Sequence, residues 1–259
     1  MIVFFAMRNV SGIIRKFNRF ELKYLLTSEQ AAHFENKIQG YLHPDTYGRG
    51  GKYRLSSLYY DSSKYHFYWE KIEGIKFRRK LRIRHYESSE PLTDQTKVFV
   101  EIKQRLDRVT QKRRLRLAYQ DALELCSGKS IPEILLPEER SIAEEIHEMV
   151  LRYNLEPTSV VSYFRKAYLG TDYDEGLRVT FDTDLHYRTH DLDLRSKAKG
   201  ESLLALHHVI MEIKVNERVP YWLTEFVGES NLKLIRVSKY CQSLEVSEKV
   251  PSSRFFISL

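Results

Sequence analysis

The chain has 259 residues, 42% of them hydrophobic and 30% charged, which is enough apolar material to bury a core and too much for a disordered chain. A formal net charge of +7 and a pI near 9.2 favour anionic partners without choosing among nucleic acid, nucleotides, polyphosphate and acidic lipid. Two cysteines, Cys126 and Cys241, are too few for a secreted disulfide scaffold, lack metal-ligand spacing and read as free thiols of a reducing compartment.

Residues 1–18 read as an N-terminal extension, poorly ordered or carrying a misassigned start. Its apolar run Met1 to Ala6 is too short to span a membrane, and Met7 is the alternative start. Phe20 to Leu26 predicts a strand, and Thr27 with Gln30 three residues later is a capping-box pattern opening a helix to about Tyr41. After a loop over 42–52, Tyr53 to Tyr60 predicts a strand, and Ser62 to Ile72 a short helix closed by Gly74. Phe77 to Tyr86, Lys97 to Arg105 and Lys112 to Ala118 predict three further strands. Asp121 to Ser127 and Pro137 to Tyr153 predict helices, the second with Ile142, Ile146, Met149 and Val150 at helical spacing. Pro157 to Thr171 and Gly176 to Leu185 predict a strand pair, 186–202 a mobile polar loop, and His207 to Val215 a strand. Pro220 to Phe226 predicts a short helix, and a charged cluster falls within Leu234 to Gln242. Roughly eight mostly antiparallel strands with helices between them make the fold class α+β.

Five segments place charged residues at every second position: Arg78 to Arg84, Val100 to Arg105, Lys112 to Leu117, Leu177 to Asp182 and Met211 to Val215. Successive strand side chains point to opposite faces, so Lys80, Arg82 and Arg84 share one face, with Leu81 and Ile83 on the other. Like charges on neighbouring strands destabilise a sheet unless something neutralises them. The strands can close into a barrel with the charged faces inward and helices covering the apolar outside. Lys80, Arg82, Arg84, Lys103, Arg165, Arg178 and Lys214 then line a hydrated interior, where Arg and Lys suit phosphate oxygens. Inward carboxylates can hold a divalent metal between phosphates. Solvated strand faces are the plain alternative for Arg82 and Arg84, and an ion pair with Lys214 is the alternative for Glu212.

Arg19-Phe20-Glu21-Leu22-Lys23-Tyr24 resembles the opening motif of the VTC-type polyphosphate polymerase domain of the triphosphate tunnel metalloenzyme superfamily. Tyr59-Tyr60-Asp61, Lys80 to Arg84, Glu101-Ile102-Lys103, Ser162 to Arg165, Arg178 to Asp182, Glu212-Ile213-Lys214 and Ser238-Lys239-Tyr240 follow in that domain's order. The resemblance places the tunnel domain at 19–245 and a C-terminal tail at 246–259. It implies a closed eight-stranded antiparallel tunnel with a basic interior, extending inorganic polyphosphate from the γ-phosphate of ATP with Mn²⁺ or Mg²⁺. Carried over, Arg82, Arg84, Lys103, Arg165, Arg178 and Lys239 are catalytic. Lys23, Lys80, Tyr163, Lys214, Arg236 and Ser238 bind phosphate. Glu212 is the metal ligand, with Glu21 and Glu101 beside it. On this reading Arg82 or Arg165 can be removed without loss of the fold.

Eukaryotic members also carry an SPX sensor domain and a membrane-spanning region, and neither is expected here. The expectation is therefore a cytoplasmic protein resembling bacterial stand-alone forms, with peripheral attachment through a separate membrane partner left open and no specific nucleic acid. A tunnel hydrolase or cyclase acting on a small triphosphate, and a non-catalytic polyanion-binding module, are the competing readings.

Overall fold

The computed structural model describes residues 20–107, 109–133, 136–216 and 218–258, so the N-terminal extension expected at 1–18 lies outside the described residues. In chain order the elements are β1 (Phe20–Thr27), α1 (Ser28–Ile38), β2 (Leu42–Pro44), β3 (Lys52–Asp61), α2 (His66–Ile72), β4 (Phe77–Tyr86), β5 (Lys97–Leu106) and β6 (Val109–Ala118). Then follow α3 (Tyr119–Cys126), α4 (Pro137–Tyr153), β7 (Glu156–Gly170), β8 (Arg178–Arg188), β9 (Glu201–Ser202), β10 (His208–Val215), α5 (Tyr221–Glu229), β11 (Lys233–Leu234) and α6 (Lys239–Val246). All strands join one eleven-stranded sheet whose main path runs β11-β1-β10-β8-β7-β3-β4-β5-β6, with β2 added to β7 and β9 to β8. Every strand pairing is antiparallel.

The closed eight-stranded barrel expected from the sequence is corrected here. Among the described residues no ladder joins β6 to β11 or β1, so the sheet is open. Closure needs two edges long enough to pair, and β11 is only two residues long. The sheet nonetheless curls: Lys103 Nζ on β5 reaches Glu21 Oε2 on β1 at 3.2 Å, although these strands are far apart in sheet order.

Strand alternation sorts the side chains as expected. Leu81 and Ile83 of β4, Val98, Val100 and Ile102 of β5, and Leu115 and Leu117 of β6 bury outward against α3 and α4. A second outer core sets Val179, Phe181, Met211, Ile213, Tyr24 and Leu26 against Phe34 and Ile38 of α1. The α1 capping box forms as predicted, with Gln30 N donating to Thr27 Oγ1 and Thr27 N donating to Gln30 Oε1. On the inner face, Leu55, Tyr59, Val161, Leu185 and Ile210 pack against Tyr240 and Leu244 of α6, which fills one end of the concavity.

Three local differences bear on the site. The expected loop over 42–52 begins with β2, which fastens this segment to β7. The ladder of β7 with β8 slips between Ser162 and Phe164, and Asp184 takes φ 51°; inward positions on β8 pass from Asp182 to Leu185. The loop expected to be mobile from 186 is anchored, because β8 continues to Arg188, whose guanidinium donates to the carbonyls of Asp191, Asp193 and Ala198.

Candidate functional site

The inner face collects the charged residues of the alternating strands. Arg82 donates through Nε and Nη2 to Glu101 Oε2 at 2.8 and 2.6 Å, and through Nη1 to Tyr59 Oη at 3.1 Å. Arg84, two residues on, is buried and meets only neutral oxygens, donating to Ser57 Oγ at 3.1 Å and Tyr163 Oη at 3.3 Å. Lys80 donates to Ser238 Oγ and, among the described residues, has no carboxylate within ion-pair distance. Lys112 and Arg114 on β6 share Glu101 with Arg82.

The N-terminus of α6 enters this face from the filled end. Ser238 caps the helix by accepting from Cys241 N, which fixes where Lys239 projects. Lys239 Nζ lies 2.6 Å from Asp182 and 3.5 Å from Glu212. Asp182 also receives the bidentate fork of Arg165 at 2.6 and 2.7 Å. Glu212, on the neighbouring strand, accepts from Lys214 at 2.6 Å, with Lys23 and Arg165 at 3.6 and 3.5 Å. Lys23 in turn bridges to Glu21 at 3.0 Å, and Glu21 to Lys103.

Protonation follows from this crowding. Burial alone would raise the Tyr59 phenol, but Arg82, Arg84 and Lys80 overrule it and pull its pKa down to about 8. Burial likewise opposes a charged Glu212, yet Lys214, Lys239, Lys23 and Arg165 hold its carboxyl well below the usual range. Burial depresses Lys80, and brings Lys214 down to about 8 despite its pairing with Glu212. The face is therefore rich in cations, and among the described residues neither Arg84 nor Lys80 has a carboxylate within ion-pair distance, although Tyr163, Glu101 and Tyr59 nearby favour the charged form of Arg84.

A family model described as the VTC domain matches residues 18–248. The chain belongs to the VTC-domain family. It is 25% identical over 221 residues to a Trypanosoma brucei brucei protein named vacuolar transporter chaperone complex subunit 4. That match takes in 73% of this chain and 28% of the relative, so the chain spans little more than a quarter of the relative's length. Among solved structures, a Bacillus halodurans protein assigned as an adenylate cyclase shares the fold at TM-score 0.50 and 13% identity, over 87% of this chain and 95% of its own. A Pyrococcus horikoshii protein covers 89% of this chain and 99% of its own at TM-score 0.45 and 14% identity.

Of the residues named from the VTC resemblance, Lys23, Lys80, Arg82, Arg84, Lys103, Tyr163, Arg165, Lys214, Ser238 and Lys239 come together on the inner face with Glu21, Glu101 and Glu212. Tyr163 is buried, with Lys239 and Arg165 4.7 and 5.4 Å from its ring centroid. Arg178 lies at the rim, donating to Asp45 Oδ2 at 2.8 Å and Tyr53 Oη at 3.0 Å. Arg236 is exposed and lines, with Lys71 and Ser238, a small recess beside α6.

Sequence reading missed Tyr59, Ser57, Tyr53, Lys112 and Arg114 as members of the site. Tyr53, Ser57 and Tyr59 share one parity on β3, so the alternation rule carried the signal. The neighbouring Arg113 points to the outer face, where it pairs with Glu145 of α4. The histidine pair His207 and His208 lies at the turn into β10, with ring centroids 4.3 Å apart and planes tilted by 47°.

Among the described residues no three His, Cys, Asp or Glu side chains form a metal cage. Glu21 and Glu212 share Lys23 and each meets a further lysine, so a divalent cation there would take one or two carboxylates, with phosphate oxygens and water completing its shell.

Proposed function

We propose that this VTC domain is an ATP-dependent polyphosphate polymerase that transfers the γ-phosphoryl group of ATP to the end of an inorganic polyphosphate chain. The observation that carries the reading is the pair of inward cations, Arg84 and Lys80, without carboxylate partners on a face shared with Arg82, Lys103 and Lys239. A buried unpaired guanidinium is costly unless an anion joins it, and a chain of phosphates supplies anions at regular spacing. Membership of the VTC-domain family supports the same reading.

In the proposed reaction a terminal oxygen of the polyphosphate bonds to the γ-phosphorus, and the bond from that phosphorus to the ADP oxygen breaks. The nucleophile is already anionic, so no general base is required. The protein's part is alignment and stabilisation of charge spread over the transferring group. Arg84 and Lys80 offer free donors on one wall, and Lys239 projects from α6 against the opposite wall. Glu101 and Asp182 hold the Arg82 and Arg165 forks in place, so these two arginines act as fixed positive walls. Mn²⁺ or Mg²⁺, held by Glu212 and Glu21 together with the phosphates, supplies further charge neutralisation when bound.

No helix among the described residues is long and apolar enough to cross a membrane. The relative is named as a subunit of a complex, so attachment through a separate membrane partner belongs to the proposal. The test is incubation of purified protein with ATP and Mn²⁺ or Mg²⁺, with products resolved on a gel. A ladder of polyphosphate supports the polymerase. Cyclic nucleotide or orthophosphate alone assigns a cyclase or hydrolase on the same fold, and unconsumed ATP refutes catalysis.

A further inference from the structure

We infer that the tyrosine cluster at the Arg178 rim, with Tyr47 as its exposed member, is a stacking platform for the nucleobase of the incoming nucleotide; this rests on the phosphate-binding reading above. Tyr47 is 49% exposed yet sits edge-on to two rings, Tyr53 at 5.0 Å and 89° and Tyr86 at 5.2 Å and 73°. Tyr86 continues edge-on to Phe99 at 5.8 Å, and the Arg114 guanidinium lies 4.8 Å from the Phe99 centroid. Tyr53, Tyr86 and Phe99 all lie on the inward parity of their strands, so this aromatic row is continuous with the charged face.

The loop that carries Tyr47 is built to hold it there. Asp45 Oδ1 accepts from Tyr47 N at 3.1 Å, and Asp45 Oδ2 accepts from Arg178 at 2.8 Å. Asp45 N donates to Ala167 O at 2.9 Å, and Ala167 N donates to Gly51 O at 3.0 Å. Gly51 has φ +74°, and a Cβ there would come within 2.7 Å of Ala167 O, so the loop lies flat on β7. Arg178 thus ties together three things: the loop of Tyr47 through Asp45, the ring cluster through Tyr53, and the inward face. Its Nε is buried and has no hydrogen-bond partner among the described residues.

An open aromatic face a short step from cationic donors matches a ligand with a flat π-surface joined to phosphates. A bare polyphosphate has no group to place on the rings, whereas a nucleoside triphosphate has one. Stacking reads the π-face and tolerates any base, so this rim separates nucleotide from polyphosphate without selecting adenine by its edges.

The experiment is calorimetric titration of the full chain with ATP and with inorganic tripolyphosphate, both in EDTA to prevent turnover, for wild type, Tyr47→Ala and Tyr47→Trp. One stacked base is expected to make ATP binding in Tyr47→Ala roughly 5- to 150-fold weaker. Tripolyphosphate affinity is expected to stay unchanged, and Tyr47→Trp to retain wild-type ATP affinity. Unchanged ATP binding in Tyr47→Ala overturns the platform, as do equal losses for both ligands, which report damage to Arg178. Wild-type protein that binds neither ligand overturns the phosphate-binding reading itself.

Discussion

Arg84 and Arg165 share the inner face and look equivalent in the sequence, yet removing them should move stability in opposite directions. The fork of Arg165 is fully engaged by Asp182, which is completely buried. Replacing Arg165 with Met strands that carboxylate, and breaking a buried pair costs about 3–5 kcal/mol. Lys239 remains 2.6 Å from Asp182, so the lower end, about 3 kcal/mol, is expected. This reverses the sequence-based expectation that Arg165 is dispensable for folding. Arg84 has only Ser57 Oγ and Tyr163 Oη as partners. Those two bonds contribute about 1 kcal/mol each, while the desolvation of an unpaired cation costs several kcal/mol. Arg84→Met should therefore leave stability unchanged or raise it by about 1–2 kcal/mol. Polyphosphate affinity should meanwhile fall by about 1.5–3 kcal/mol for the lost charge-assisted contact, roughly 10- to 150-fold. Urea unfolding at neutral pH without ligand, followed by polyphosphate titration of the same variants, measures both quantities. If Arg84→Met destabilises the fold as much as Arg165→Met, the Arg84 charge is already compensated and the reasoning fails.

The pH dependence has a definite sign. The folded-state pKa values of Tyr59 and Lys214, each about 8, lie below their ordinary values, so between pH 8 and 10 the unfolded chain binds more protons and ligand-free stability should rise with pH. Polyphosphate should therefore raise the melting temperature more at pH 7 than at pH 9, and a larger shift at pH 9 would contradict the assignment. Glu21 and Glu212 are held well below their usual pKa, so stability should fall on acidification below about pH 5, as circular dichroism melts can show. Glu212→Gln should lower ligand-free stability, because Lys214, Lys239 and Lys23 lose their shared counter-charge, and should raise the Mn²⁺ concentration needed for half-maximal activity. An unchanged metal titration would remove Glu212 from the metal site. Lys103→Gln breaks the exposed bridge to Glu21 and should cost less than about 1 kcal/mol, checked by the same unfolding curves.

Alternation made the strands and their inward faces legible, because a period of two is visible in one sequence without knowing which strands pair. It placed Lys80, Arg82, Arg84, Lys103 and Lys214 correctly relative to Leu81, Ile83, Ile102 and Ile213. It could not say whether the sheet closes, since closure depends on edge length and curl between residues far apart in the chain. Pairing inside the site was also hidden. That Arg165 is engaged by Asp182 while Arg84 is left to hydroxyls depends on the slip near Asp184 and on where Ser238 starts α6. The aromatic rim escaped notice because Tyr47, Tyr53, Tyr86 and Phe99 come from a loop and three strands, with no shared motif.

The open edge of the sheet has a consequence for handling a polymer. A sealed tube admits a long chain only by its end, so it works like the eye of a needle. Here no ladder among the described residues joins the sheet's end strands β6 and β11, and the bridge from Lys103 of β5 to Glu21 of β1 is made of two flexible side chains. Swinging two side chains aside takes little energy and unfolds no strand. On the proposed function, a polyphosphate many units long can then be laid in sideways, gripped mid-chain and let go again, as thread is pressed into a slot rather than passed through a hole.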